Sequence, residues 1–424
     1  MNRNLLGAAA TYSAANVLVA AFPLLLLPIL TRLLSPHDYG VVALFMAAAA
    51  SLGAVIGLGV QGLIPIEFYR LARAEVARLV TACLMVAGVS LVAVDVLLVL
   101  AWPWLADAVG VPLRWMLVAS AFAALQFAVA VRLAVLQAQK RSGRYAALQL
   151  TQALLGAALS IALIALAGMA WEGRVAGLVA ASALLAVTAL VGLRHDGLLV
   201  AQAEARFLRM AARYGLTLLP HVFGGLALAI SDQVVIAALL GTDAAGLFAV
   251  ALSLAAAIKV VTIAINRALA PWIYEHLPMD AAAQRRVVRL TWAYFGLVAA
   301  ASVALGLIAP AVMAWLVGPA FATSGQYVLV LAIGFGLGGM YFTVANYVFH
   351  SGATARLAAV TATAGAVNVV LSVLLVGRYG MAGAGYGFAC AQALLFLGTW
   401  RLAHHVCPMP WFAALRAPRA VAAG

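Results

Sequence analysis

The sequence predicts an all-α integral membrane protein, with twelve transmembrane helices in two pseudo-symmetric six-helix lobes. Three observations predict it. The first is hydropathy. Of the residues, 67% are hydrophobic and 9% charged, with a mean hydropathy of +1.11; an ordinary soluble domain is about one quarter charged. The apolar residues come in blocks of about twenty, the length a helix needs to cross a hydrocarbon core of about 30 Å. The blocks are continuous and rich in Ala and Leu rather than alternating, which favours helices over a closed barrel. The second observation is a repeat. LLSPHDYGVVAL from Leu33 is matched by LLGTDAAGLFAV from Leu239, so Gly40 aligns with Gly246 at a shift of 206 residues. The same shift carries Gly177 (RVAG) onto Gly383 (GMAG). Parallel repeats of this kind point to a transporter that rocks about a midplane site.

The third observation is where the charge lies. With the N-terminus inside, 18 of the 25 Lys and Arg fall in cytoplasmic connections. Four fall outside (Arg32, Arg114, Arg174 and Arg378) and three within spans (Arg132, Lys259 and Arg267). This is the positive-inside bias. It predicts an even number of spans with both termini cytoplasmic, and it accounts for the net charge of +13 without a nucleic-acid partner.

Taken in order, the spans are expected at 5–31, 40–66, 79–101, 113–137, 145–170, 175–193, 214–240, 247–274, 290–310, 327–349, 357–376 and 382–400. The first has a basic start. Its apolar run continues to Thr31, too long for a signal h-region, so it reads as a retained span. Pro23 and Pro28 in it, and Pro220 in the equivalent seventh span, remove backbone donors and can bend both helices. A polar turn over 31–40 leads into the second span. The organisation is an N-terminal lobe over 1–195, a linker at 196–213, a C-terminal lobe over 214–401 and a cytoplasmic tail over 402–424. In the linker, FLRMAARY suits an amphipathic helix that Arg206, Arg209 and Arg213 hold near anionic headgroups. The tail suits the same surface. Trp102, Trp104, Trp115, Trp171, Trp272, Trp315 and Trp400 stand near span ends, as interfacial belts require.

Few patterns carry reaction chemistry. Gly57-Leu-Gly59-Val-Gln-Gly62 has the GxGxxG spacing, but a dinucleotide fingerprint follows a strand, and this one lies inside a span. Close helix approach is the better reading. Cys83 and Cys390 lie within spans and Cys407 in the tail, with no disulfide framework and no metal-ligand spacing. HExxH, GxSxG and P-loop motifs are absent. The expectation is a protein that is not an enzyme, with no cofactor and no metal, driven by an ion gradient, the membrane potential or its substrate's own gradient.

Ionisable residues inside spans are more informative, because each costs about 2.5–3.5 kcal/mol at the bilayer centre on insertion scales. Asp95, Arg132, Asp232, Lys259 and Arg267 are such residues, with Arg32 at an outer end. One reading is internal pairing, such as Asp232 with Lys259. The other is a polar lumen. Lys259 and Asn266 are seven apart and share a helix face, with Arg267 one step round; His221 and Asp232, eleven apart, share another. Three cations against two carboxylates leave a positive excess. That suits an anionic ligand such as a lipid-linked diphosphate sugar, whose phosphates match the planar fork of arginine. Asn16, Gln61 and Asn266 are candidates for sugar hydroxyls, or for hydrogen bonds between helices.

Four segments in order carry a family resemblance: LPILTRLLSPHDYGVVAL from Leu27, SDQVVIAALLGTDAAGLFAVALSL from Ser231, RALAPWIYEHL from Arg267 and NVVLSVLLVGRYGMAGAGYG from Asn368. Together they resemble Wzx-type polysaccharide (O-antigen) flippases of the multidrug/oligosaccharidyl-lipid/polysaccharide exporter superfamily. The chain departs at Ser372, where a second Asn is frequent, and at Phe248, where a Tyr beside the glycine is expected. The resemblance implies alternating access, with spans 1, 2, 7 and 8 around a central cavity. It implies movement of undecaprenyl-diphosphate-linked oligosaccharide from the inner to the outer leaflet of the bacterial cytoplasmic membrane. On that reading Arg32, Arg132, Lys259 and Arg267, with Asn16, Gln61 and Asn266, bind substrate, and Asp232 with His221 couples an ion. Membrane lipids, a glycan polymerase and chain-length machinery are the expected partners. Competing readings are a cation-coupled drug antiporter of the same superfamily, which wants acidic cavity residues, and a membrane-embedded glycan polymerase or ligase, which wants a large outer loop. Lipid II flippases of the superfamily typically carry two extra helices, for which this chain has no room. A non-transporting scaffold leaves the buried charges unexplained.

Overall fold

Alanine and leucine have the lowest cost of entering a helix, and the runs they dominate are helical throughout. A computed structural model describes residues 3–109, 112–202, 204–277 and 279–413, with the side chains of 11–104, 112–202, 204–219, 222–270, 272–277 and 279–413. Thirteen α-helices follow one another: α1 (Arg3–Leu33), α2 (Pro36–Gly57), α3 (Leu63–Glu67), α4 (Arg73–Val109), α5 (Leu113–Ala138), α6 (Ser142–Ala165), α7 (Trp171–His195), α8 (Ala205–Leu240), α9 (Thr242–His276), α10 (Ala281–Leu316), α11 (Val328–His350), α12 (Thr354–Tyr379) and α13 (Met381–Val406). Among the described residues there is no strand, and 12 helical segments are long and apolar enough to cross a membrane. The chain is a multi-pass membrane protein. A shift of 206 residues lays α1 on α8, α2 on α9, α4 on α10, α5 on α11, α6 on α12 and α7 on α13, giving two pseudo-symmetric lobes.

The expected second span, 40–66, does not run through. α2 ends at Gly57, Leu58 and Gly59 take left-handed backbone (φ 50° and 66°), and a 3-10 turn over Val60–Gly62 leads into α3. The glycine spacing serves close approach. A Cβ on Gly57 would stand 2.6 Å from the Phe127 ring, and one on Gly59 2.9 Å from Leu218 of α8. Gly215 on α8 returns the fit, with a Cβ position 2.6 Å from that of Leu58.

The expected linker, 196–213, is only partly a connection. α8 starts at Ala205 and continues without a break to Leu240. The amphipathic pattern of FLRMAARY is real, but its apolar face lies on the N-terminal lobe. Phe207 and Ala211 are fully buried among Ile64, Val76, Leu79 and Val80. Arg78 pairs with Glu204, and Arg206 with Glu75 at 3.5 Å. Further on, α8 packs against α12. Part of the tail likewise folds inward. Met409 and Trp411 are buried in the C-terminal lobe, and the Trp292 indole N–H donates to the Trp411 carbonyl at 2.8 Å. The remainder of the expected tail, 414–424, lies outside the described residues.

At the end of the bundle away from these arginines, the two lobes meet. Ser35 caps α2, its hydroxyl accepting from the Asp38 N–H while the Asp38 carboxylate accepts from the Ser35 N–H, a reciprocal capping box. α2 then crosses α9 backbone to backbone. A Cβ on Gly40 would lie 2.0 Å from the Thr242 carbonyl oxygen, and one on Gly246 1.9 Å from the Pro36 carbonyl oxygen. Only glycine permits this crossing. A second, asymmetric strut lies beside it. Arg32 donates to the carbonyls of Trp315 and Leu316, 2.9 Å each, at the C-terminus of α10, where the helix dipole favours a cation. The Gly318 N–H donates to Thr31 Oγ1 at 3.1 Å.

Candidate functional site

Behind this seam lies a partly open cavity of about 1030 Å³ between the lobes. α1 supplies an apolar wall from Val19 to Leu34, and α8, its repeat equivalent, lines the cavity from Gly225 to Gln233. The polar lining is Tyr39 of α2, Gln126 of α5, Gln149 and Gln152 of α6, Arg174 and Ser182 of α7, Asp232 and Gln233 of α8, Ser253 and Lys259 of α9, Tyr341 of α11 and Gln392 of α13. The volume sits at the upper end of the usual range for small-molecule pockets, about 300–1,000 Å³.

Helix packing puts the two cations there. α7 begins at Trp171, so Arg174 lies in its first turn. Gly177, one turn later, lets α7 press on α6; a Cβ there would lie 2.4 Å from the Ser160 nitrogen. Arg174 then donates to the buried Ser160 hydroxyl at 3.1 Å. Lys259 stands midway along α9, with Nζ 6.0 Å from the centroid of the Phe335 ring, within reach of its negative face. Among the described residues neither cation has a carboxylate in ion-pair contact. The pairing of Asp232 with Lys259 that the sequence allowed is therefore not made.

Asp232 has different company. It is 5% exposed. The Ser372 hydroxyl donates to it, and so does the Asn368 side-chain N–H, at 3.3 Å. Asn368 also donates to Ser231 at 2.9 Å, while its own buried Oδ1 has no hydrogen-bond partner among the described residues. A carboxylate, an amide oxygen and hydroxyls converge between α8 and α12, a donor set for a proton or a small hard cation. His221, expected beside it, has its side chain outside the described residues.

The other candidates lie elsewhere. Arg132 is 7% exposed and faces α7, not the cavity; it donates to Asp196 at 2.7 Å, and Arg141 adds a contact at 3.4 Å. Burial pushes the Asp196 carboxyl up, but the Arg132 hydrogen bond and charge, with Arg141 behind them, outweigh it and hold the group below the ordinary carboxylate range. Arg32 belongs to the seam. Arg267 is exposed and Asn266 accepts from Asn346 at 2.9 Å, both outside the cavity lining. They share the Lys259 side of α9 but sit about 10 Å further along it. Asn16 donates to the Tyr12 carbonyl at 2.8 Å and accepts from Tyr145 at 3.3 Å. Gln61 lies in the 3-10 turn after α2, its buried Oε1 without a partner among the described residues. Asp95 accepts from the Ser120 hydroxyl at 2.5 Å. Sequence reasoning missed Arg174, assigned to an outer connection, and the cavity glutamines. The nearness of Arg174 to the repeated glycine of RVAG was the available signal; the glutamines carry no motif.

A family model described as polysaccharide biosynthesis protein matches residues 5–276. The solved structure of the lipid II flippase MurJ, in an inward closed conformation, aligns with a TM-score of 0.75 at 12% identity, over 92% of this chain and 87% of that one. An inward-facing multidrug resistance MATE transporter of the MOP superfamily aligns with a TM-score of 0.68 at 14% identity, over 93% and 94%. An outward-facing one gives 0.60 at 15% identity, over 94% and 94%. No curated protein matches the chain in sequence. At such identities the structural likeness shows the fold and not the cargo. The family match spans well over half the chain, and with it the conclusion is direct: this chain belongs to the polysaccharide biosynthesis protein family, built on the transporter fold that MurJ and the MATE proteins share.

Proposed function

We propose that the chain is a flippase for polyprenyl-diphosphate-linked oligosaccharides, working by alternating access in the bacterial cytoplasmic membrane. The observation that carries this reading is the pair of cations, Arg174 and Lys259, facing one inter-lobe cavity without carboxylate partners. Arg174 is half-buried and Lys259 is exposed into the cavity; an uncompensated cation at membrane depth is costly, and a diphosphate entering the cavity offsets that cost with charge-assisted hydrogen bonds. Family membership supports a sugar-bearing cargo. The apolar α1 wall suits the lipid side of the headgroup.

The positive-inside bias puts the arginine-rich end, with both termini, on the cytoplasmic side. The seam around Gly40 and Gly246 then closes the outer end. On this reading the cavity loads from the cytoplasmic leaflet, the lobes rock, the seam parts and the glycan emerges outside while the lipid chain stays in the bilayer. The node at Asp232 is the ion-coupling element. Its carboxylate is enclosed by Ser372 and Asn368 rather than presented to the cavity centre as a lone acidic group, which favours the flippase over a drug antiporter.

The test is Arg174→Ala with Lys259→Ala in a strain whose surface glycan depends on this chain. The expected result is loss of surface glycan, with lipid-linked glycan trapped on the inner leaflet and protein level unchanged. Normal surface glycan in the double variant would overturn the reading.

A further inference from the structure

The cations are only part of the cavity's polar lining. Five of the chain's eleven glutamines line it, and three of those stand together on the N-terminal lobe: Gln126 on α5, and Gln149 and Gln152 on α6. The Gln152 side-chain N–H donates to Gln126 Oε1 at 2.5 Å. That bond ties α5 to α6 and leaves the second amide hydrogen of Gln152 and both of Gln126 available. Gln149, just under one turn before Gln152, has a shielded Oε1 with no hydrogen-bond partner among the described residues. A carboxamide oxygen left unmet in a low-dielectric wall is unfavourable, and a turn of the side chain that brings it to a hydroxyl donor in the cavity would relieve it. Interhelical bonding explains the Gln126–Gln152 contact but not Gln149. The chemistry of the group is also specific. A carboxamide both donates and accepts, as a ring of sugar hydroxyls requires, and being neutral it adds no charge to phosphate binding.

We infer that Gln126, Gln149 and Gln152 form a glycan subsite on the α5–α6 wall, reading the hydroxyls of the sugar nearest the diphosphate, while the diphosphate itself sits between Arg174 and Lys259. The inference rests on the flippase reading and deepens it. It also replaces Asn16, Gln61 and Asn266 as the sugar-binding set, since those residues lie outside the cavity lining. The cargo then bridges the lobes, with the glycan on the N-terminal lobe and the diphosphate between Arg174 of that lobe and Lys259 of the other.

The test uses the full chain in phospholipid nanodiscs. It is titrated with undecaprenyl diphosphate and with undecaprenyl diphosphate carrying an N-acetylhexosamine disaccharide, and intrinsic tryptophan fluorescence is read. The native chain is expected to bind the glycosylated lipid about tenfold more tightly, the worth of one to two net hydrogen bonds. Q149L/Q152L is expected to lose that preference with bare-lipid affinity unchanged, and Lys259→Ala to weaken both lipids alike. Leucine suits a membrane helix, and the unfolding midpoint checks the double variant; if it falls, Gln149→Ala is read in the same way. A glutamine variant that keeps the tenfold preference, or that loses both lipids equally, overturns the glycan subsite and leaves the flippase reading standing. A native chain that binds neither lipid overturns both.

Discussion

His37 Nδ1 lies 2.9 Å from Asp243 Oδ1, and the two residues are 206 positions apart, the repeat shift itself. Each is the counterpart of the other, so the pair marks the axis that relates the lobes. Gly40 and Gly246 obey the same rule. Each leaves room for a carbonyl of the opposite helix, and the two carbonyls, of Pro36 and Thr242, are again 206 apart. The seam is thus built from equivalent groups meeting at the axis, which gives a physical reason for the return of glycine at the same register in both halves.

Substituting Gly246 tests whether this crossing is the outer gate. In Gly246→Ala the new methyl would overlap the Pro36 carbonyl oxygen, so the helices must separate. Overpacking of this kind costs about 1–3 kcal/mol. The expected outcome is a seam biased open and loss of transport. Electron–electron distances between spin labels on the α1–α2 and α8–α9 turns should lengthen relative to the native chain; unchanged distances would count against the assignment.

The Arg132–Asp196 pair tests structure apart from transport. Asp196→Asn leaves Arg132 buried without its carboxylate, and removal of one partner of such a pair costs about 3–5 kcal/mol. A carboxyl held below its ordinary range contributes stability that is full above about pH 4 and is lost as pH falls through the depressed value. The unfolding-midpoint gap between Asp196→Asn and the native chain should therefore be wide at neutral pH and narrow on acidification. A gap that grows toward low pH would refute the sign.

Lys259 and Arg267 separate under single substitution. Lys259 lines the cavity and Arg267 does not. Lys259→Ala is expected to reduce flipping at least tenfold in proteoliposomes, while Arg267→Ala stays within about twofold, the difference between losing and keeping a charge-assisted contact. Equal losses would return Arg267 to the binding set.

Asp232 should govern energy coupling rather than cargo affinity. Asp232→Asn is expected to retain binding of the lipid-linked glycan but to abolish the response of flipping to an imposed sodium or proton gradient. The reading fails if gradient-driven flux persists.

Spans, repeat and family resemblance were legible because each rests on pattern over many residues. The site was legible only where depth and face could both be read. Helical periodicity put Lys259, Asn266 and Arg267 near one side of α9, but periodicity does not say how far the cavity extends along the axis, and two of the three lie beyond it. Arg132 carried the signature of an intramembrane charge, yet its partner, Asp196, sits 64 residues away in a connection, a pairing no local pattern reveals. Arg174 looked like an ordinary outer arginine until the close packing of Gly177 on Ser160 placed it against the cavity. The glutamines were invisible for a plainer reason: an isolated amide in an Ala- and Leu-rich helix has no signature until its neighbours across the fold are known.

Helix α8 is held at two places. Phe207 and Ala211 anchor its start in one lobe, and Asp232 ties its other half to α12 in the other. A beam clamped at both ends flexes between the clamps. That stretch includes Gly224, held against Ala362, and Gly225, on the cavity wall. On the flippase reading, cargo that presses on the wall there would press on the beam, and the stiffness of a single helix would enter into how far the two lobes swing and how quickly they return.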